Sequence, residues 1–231
     1  MVSYGQFCPV AKATEIIGEK WTMLILRELF LGTYRFSDFQ RSLSRMSPTI
    51  LAKRLKHLEE RGVIVKKNAS GQKGSEYRLT PAGKELEPVI ETLAVWGMRW
   101  ARGQMSDDEL DVELLMWEIH RRIFTQHLPD GQTVLCFSFN DLDKHKTWWL
   151  VIDGDDVDLC TEDTGKDVDL YVTTELRTMV EIWEGDADLK KALREERVVA
   201  IGDKSLIRTM PDWFGLCFVS HVRPADAAAD V

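Results

Sequence analysis

The chain has 231 residues, 44% of them hydrophobic and 29% charged, with a formal net charge of −8 at pH 7. That length suits two domains with packed cores better than one or three. No apolar run is long enough to cross a bilayer, and the N-terminus lacks the basic start and apolar centre of a signal peptide, so a cytoplasmic protein with no membrane partner is expected.

The charge is unevenly divided. Residues 1–104 hold 17 Lys and Arg against 10 Asp and Glu, a net of +7, and the remaining 127 hold 13 against 28, a net of −15. A basic half joined to an acidic half points to two domains with different partners, and the basic one has the charge expected of a nucleic-acid binder. The cysteines Cys8, Cys136, Cys160 and Cys217 are far apart, with no C-x-x-C pair and no His at ligand spacing. No disulfide framework, metal site or cofactor is expected. Gly-rich phosphate loops, G-x-S-x-G and H-E-x-x-H are all missing from the sequence, so the expectation is that the protein is not an enzyme.

In chain order, Pro9 suits the first position of a helix running to Ile17 and ended by Gly18. "KWTMLILRELFLG" spaces Trp21, Leu24, Ile25 and Leu29 as the core face of a second helix. Ser37 is the expected N-cap of a short third. "SPTILAKRLKHLEERGVI" supplies a fourth, with Ser47 as N-cap and Pro48 first in the helix. At about 100° per residue, Ile50, Leu51, Leu55 and Leu58 share one side and Thr49, Lys53, Lys56 and Glu60 the other. Met46, Ile50 and these leucines are expected in the core. Arg54 lies on the flank, where it either braces a neighbouring helix or reaches a phosphate. Two β-prone runs, Val63–Lys67 and Glu76–Leu79, predict a hairpin with a basic tip at Lys73. A helix from Pro81, interrupted near Pro88, completes the order of a winged helix-turn-helix.

Several motifs in that order sharpen the reading: the Cys-Pro opening, Lys-Trp-Thr, Arg-Phe-Ser-Asp-Phe, Ser-Pro-x-x-Leu-x-x-Arg-Leu-x-x-Leu-Glu, and Tyr-x-Leu-Thr-Pro-x-Gly. Together they make about residues 7–102 resemble HxlR-type winged-helix transcriptional regulators. The resemblance implies a homodimer that binds double-stranded DNA, its interface built from the first helix and the helix after the wing. Recognition helices read base edges from their N-terminal turns, which makes Ser47, Thr49 and Lys53 candidates for groove contacts. Lys56, Lys67 and Lys73 suit phosphates, with Arg54 as a further candidate. In relatives the cysteine of the Cys-Pro motif senses oxidants or electrophiles. For Cys8, at a helix N-terminus with Lys12 one turn on, a redox role stands beside that of a small buried thiol.

Beyond residue 104, Ser106 and three acids predict a helix start, followed by strands at "TVLCFSF", "TWWLVI", "DVDLCT" and "DVDLYVT". Helical patterns at "TELRTMVEIWEG" and "DADLKKALREE", a strand at "RVVAIGD" and the segment "KSLIRTMPDWFG" follow. The fold class expected is α+β: a winged helix-turn-helix domain over 1–104, an α+β domain over 105–224 and a tail over 225–231. Residues 133–214 resemble sterol-carrier-protein-2-like domains, which implies an apolar tunnel and a hydrophobic small-molecule effector, or a scaffold that has lost its ligand. Trp117, Trp148, Trp149, Met179, Trp183, Trp213 and Phe214 either line such a tunnel or fill an ordinary core. Alternation puts Trp148 and Trp149 on opposite faces of their strand. The block Asp155, Asp156, Asp158, Asp167 and Asp169 would keep this half off DNA. The rival reading is a ligand carrier whose helix-turn-helix serves protein contacts.

Overall fold

The computed structural model describes residues 3–68, 74–102 and 105–225. It divides into two compact units, Met1–Trp96 and Gly97–Val231.

The first unit begins with α1 (Pro9–Ile17), α2 (Thr22–Phe30), α3 (Phe36–Ser42) and α4 (Pro48–Glu60). A hairpin of β1 (Ile64–Asn68) and β2 (Ser75–Leu79) follows, then α5 (Pro81–Lys84) and α6 (Glu87–Trp100), within which the two units divide. Ile25, Leu26 and Leu29 of α2, Phe39 of α3 and Leu51, Leu55 and Leu58 of α4 form one core with Met46, Ile64 and Tyr77. This is the winged helix-turn-helix arrangement.

Three local expectations change. Leu24 is exposed, because the inward face of α2 falls on Ile25, Leu26 and Leu29. The N-cap of α3 is Arg35, not Ser37: Arg35 forms a β-bridge with Glu76, so the chain leaves the wing there and turns directly into helix at Phe36. Ile50 is 39% exposed and not core, because it sits about 100° round the helix from Leu51, on the flank of α4. His57, two turns later on that flank, is buried with its Nε2 3.2 Å from the Ile16 carbonyl. The interruption foreseen near Pro88 falls just before it, at Glu85 and Leu86, which leaves Pro88 in the first turn of α6 where its missing N–H costs nothing.

The recurrent motifs have structural work to do in this unit. Ser47 accepts the Ile50 N–H at 3.3 Å. Arg54 donates to the Lys20 carbonyl at 3.1 Å and ion-pairs with Glu19. Tyr77 packs edge-on against Phe39, ring centroids 6.4 Å apart. Thr80 accepts the Gly83 N–H at 3.1 Å and donates to the Gly62 carbonyl at 2.6 Å, tying α5 to the end of α4. Glu28, wholly buried, is held by Arg27 (2.6 Å) and by the Thr33 hydroxyl (3.0 Å).

The second unit contains α7 (Val112–His120), β3 (Gln132–Phe139), β4 (Thr147–Asp153), β5 (Asp156–Cys160) and β6 (Leu170–Thr174). Next come α8 (Leu176–Glu184), α9 (Leu189–Arg194), β7 (Val198–Gly202) and α10 (Lys204–Trp213). Ser106 does not start α7. It forms a capping box with Glu109 around a single 3₁₀ turn, and Asp111 then caps α7 by accepting the Leu114 N–H at 3.0 Å.

The strands form one sheet in the order β5-β4-β3-β6-β7, antiparallel except for the β3–β6 pair. The segment from β5 to β6 therefore crosses from one edge to the far side of β3. It is pinned there by Asp169, whose N–H donates to the Val134 carbonyl (2.9 Å) while its carboxylate accepts the Val134 N–H (2.8 Å). Leu135, Phe137 and Phe139 of β3, with Trp148, Leu150 and Ile152 of β4, face a core completed by residues of α7, α8, α9 and α10.

Candidate nucleic-acid interface

α4 presents its solvent face as a consequence of its own periodicity. Leucines at every third or fourth position fix the inward side, so Thr49, Lys53 and Lys56 turn outward and all are exposed. The first turn of α4 carries no acidic side chain, leaving the positive end of the helix dipole available to an anion. Ser47 sits at that end with its hydroxyl engaged as the cap. Lys56 is 76% exposed and 3.7 Å from Glu60, a loose surface pair that a phosphate can displace.

Arg54 takes the bracing position of its two alternatives, with Glu19 and the Lys20 carbonyl as partners. Ile50, which periodicity had assigned to the core, adds an exposed methyl-bearing side chain beside Thr49 and Lys53, of the kind that packs on a thymine methyl. Its position about 100° from Thr49 on the helical wheel, off the centre of the leucine stripe, was the available signal.

In the wing, Lys66 and Lys67 are exposed on β1, and the Lys66 ammonium lies 5.9 Å from the Tyr77 ring centre. Glu59 of α4 accepts the Lys66 N–H at 3.3 Å, which couples wing to helix. Arg78 is committed inward, 3.5 Å from the Tyr34 ring centre and 2.6 Å from Glu76. Lys73 lies outside the described residues.

An apolar stripe runs along α6. Val89, Leu93 and Trp96 are exposed at helical spacing, and Trp100 at the helix end is exposed as well. Tyr4, Phe7 and Val10, at the start of the same unit, are exposed too.

Cys8 is half-buried at the N-cap of α1, and its carbonyl accepts the Lys12 N–H at 3.0 Å. The Lys12 ammonium goes instead to Glu15 at 3.1 Å, and that pairing, with the Tyr4 N–H, holds the Glu15 carboxyl below its ordinary range.

Of the aromatic and Met candidates in the second unit, Trp148, Met179, Trp213 and Phe214 meet in one buried core, with Trp183 packed against it. Trp213 donates its indole N–H to the Leu206 carbonyl at 3.0 Å and meets Phe214 edge-on at 6.3 Å. Trp149 projects from the other face of the sheet, opposite Cys136 and Cys160 in register. Trp117 stacks on His120 at 5.0 Å, with the Arg121 guanidinium 5.6 Å from its ring, apart from that core. Among the described residues no group of His, Cys, Asp and Glu could hold a metal ion, and no helix is long and apolar enough to cross a membrane.

Residues 16–105 match the family of HxlR-like helix-turn-helix proteins. An uncharacterized HTH-type transcriptional regulator of Mycobacterium tuberculosis is 44% identical over 89 residues, covering 38% of this chain and 56% of the relative, so the chain spans little more than half the length of that protein. The HTH-type transcriptional regulator YvaP of Bacillus subtilis is 34% identical over 102 residues, 43% of this chain and 94% of YvaP. Among solved structures, the redox regulator HypR in its reduced form is similar at 28% identity, covering 39% of this chain and 90% of that one with a TM-score of 0.37. With nearly the whole of YvaP matched and the wing, caps and core of residues 16–105 built as described, the chain belongs to the HxlR-like helix-turn-helix family.

Proposed function

We propose that this protein is a homodimeric transcriptional regulator whose first unit binds double-stranded DNA through α4 and the wing. The observation that carries the reading is the outer face of α4, where Thr49, Lys53 and Lys56 stand exposed at an acid-free helix N-terminus over a leucine core. Thr49, Ile50 and Lys53 contact base edges in the major groove, with Ser47 at the entry. Lys56 and Lys67 contact phosphates, and Arg54 orients the helix. Two copies pair through the exposed Tyr4, Phe7 and Val10 and through Val89, Leu93 and Trp96, exposed at helical spacing along α6. A two-fold dimer reads half-sites about 10–10.5 base pairs apart, or a multiple of that spacing.

The test is anisotropy of labelled duplexes from the protein's own promoter region across a salt series. Removing one phosphate contact with Lys56→Ala should flatten the log–log salt slope by about 0.9, and adding Lys53→Ala should abolish preference for the specific duplex. Binding by the double variant that matches the unaltered protein would overturn the assigned face.

The second unit is read as a sterol-carrier-like domain that responds to an apolar small molecule. Its support is a sheet packed with helices around a shared core of Trp148, Met179, Trp213 and Phe214. An effector acts on DNA binding only by preferring one dimer geometry over another. Native mass spectrometry of the purified protein tests this: a co-purifying apolar molecule released on unfolding supports it. A chain of bare mass that also binds no apolar fluorophore counts against it.

A further inference from the structure

The five-stranded sheet has two edges of opposite character. β5 carries Asp156 and Asp158, exposed charges of the sort that keep an edge from pairing with another chain. β7 reads Val198, Val199, Ala200, Ile201, Gly202, with neither charge nor proline, and among the described residues its only strand neighbour is β6. Val198 and Ala200 face the core, so Val199 and Ile201 stand on the opposite face, where they are 40% and 65% exposed.

The backbone direction is fixed at both ends of this strand. Asp203 donates its N–H to the Asp169 carbonyl at 2.8 Å, and the Arg197 carbonyl accepts the Thr174 hydroxyl at 2.8 Å, so the odd-numbered backbone groups turn toward β6. By antiparallel alternation the N–H and C=O groups of Val198, Ala200 and Gly202 point away from the sheet.

The flanks of β7 are charged. Arg197 precedes it, and Asp203, whose carboxylate also caps α10, follows it. Folded antiparallel onto an identical strand about Ala200, Val198 meets Gly202, Val199 meets Ile201 and Arg197 meets Asp203, each pairing occurring twice by two-fold symmetry. The outward backbone groups then face each other, and the flanking Arg197–Asp203 pairs are of opposite sign. A slip of one residue would set the outward groups of Ala200 against Val199 or Ile201, whose groups turn toward β6, and no ladder forms.

We infer that β7 is a self-pairing edge, on which a second copy of this chain docks antiparallel with Ala200 on the two-fold axis, joining two sheets of five strands into one of ten. Strength comes from the ladder and from the two Val199–Ile201 pairs. The alternation of the outward backbone groups sets the register, and the exposed Arg197–Asp203 pairs add little energy. The contact is independent of the DNA-binding reading and of the α6 stripe.

A hydrogen-bonded antiparallel pair holds its Cα atoms about 5.5 Å apart, inside the range a disulfide spans. Ala200→Cys, introduced into the full chain and mildly oxidised, should therefore give a 200-to-200 linkage by peptide mass spectrometry. Adding Val199→Lys and Ile201→Lys, both at exposed positions, should reduce its yield at least tenfold without moving the thermal midpoint. A folded Ala200→Cys chain that forms no such linkage, or links only through its native cysteines, overturns the proposal and leaves the edge to another protein's strand. A linkage that survives the two lysines is random collision and overturns it equally.

Discussion

A Cβ at Gly83 would lie 2.1 Å from the Val63 carbonyl oxygen, a distance at which either backbone must move. Gly83→Ala should cost roughly 1–3 kcal/mol, the range of an overpacked interior site, read as a lower urea midpoint at unchanged slope. That the Thr-Pro-x-Gly motif ends in glycine is therefore a packing requirement. His120 is a second residue whose surroundings decide its chemistry. Burial is the main reason its imidazole is held below the ordinary value of 6.5, and the Arg121 charge adds to the effect. Its Nε2 lies 2.8 Å from the Val157 carbonyl, so the neutral ring donates there and ties α7 to β5. The folded ring binds its proton less readily than the unfolded one. The stability this contributes is complete above about pH 6.5 and is lost as pH falls from there toward the folded value. Urea unfolding at pH 7.5 and 5.5 should show a drop that His120→Gln makes shallower. An equal drop in both proteins would assign the acid sensitivity to another group.

At the scale of elements, α4 and α6 each have one face that the fold uses and one that it leaves outside. On α4 the outer face is polar and cationic, whereas on α6 it is Val89, Leu93 and Trp96. Leu93→Asp should abolish the proposed pairing of first units and weaken DNA binding by lowering dimer occupancy, while the thermal midpoint of the monomer stays within a few degrees. Sedimentation at micromolar protein, in a chain that also carries Val199→Lys and Ile201→Lys to remove the β7 contact, distinguishes the species, and a Leu93→Asp chain that remains dimeric there would refute the interface. Lys53→Ala and Lys56→Ala, by contrast, should leave the oligomeric state untouched.

At the scale of the whole molecule, the net charge of −8 conceals a basic half and an acidic half. The acids are not interchangeable. Asp169 pins Val134, and Asp155 accepts the Thr125 hydroxyl at 3.1 Å, whereas Asp156, Asp158 and Asp167 are exposed. Changing those three to Asn should raise nonspecific DNA affinity at low salt with little change in stability, and unchanged affinity at 50 mM salt would remove the repulsion hypothesis. Most elements of this protein are legible from the chain alone, although Arg35 and Asp111, and not Ser37 and Ser106, cap α3 and α7. Pro9, Ser47 with Pro48, Pro81 and the alternating strands each carry a local physical signal that does not depend on the rest of the chain. Tertiary structure decided what local signals do not encode. It left Ile50 exposed on the flank of α4, and turned Arg54 to Glu19, because the charge that attracts it is distant in sequence. It buried Glu28 between Arg27 and Thr33, and it made β7 an edge. A residue's helix or strand follows from its neighbours in the chain, but its partners follow from which surfaces the packed elements leave within reach.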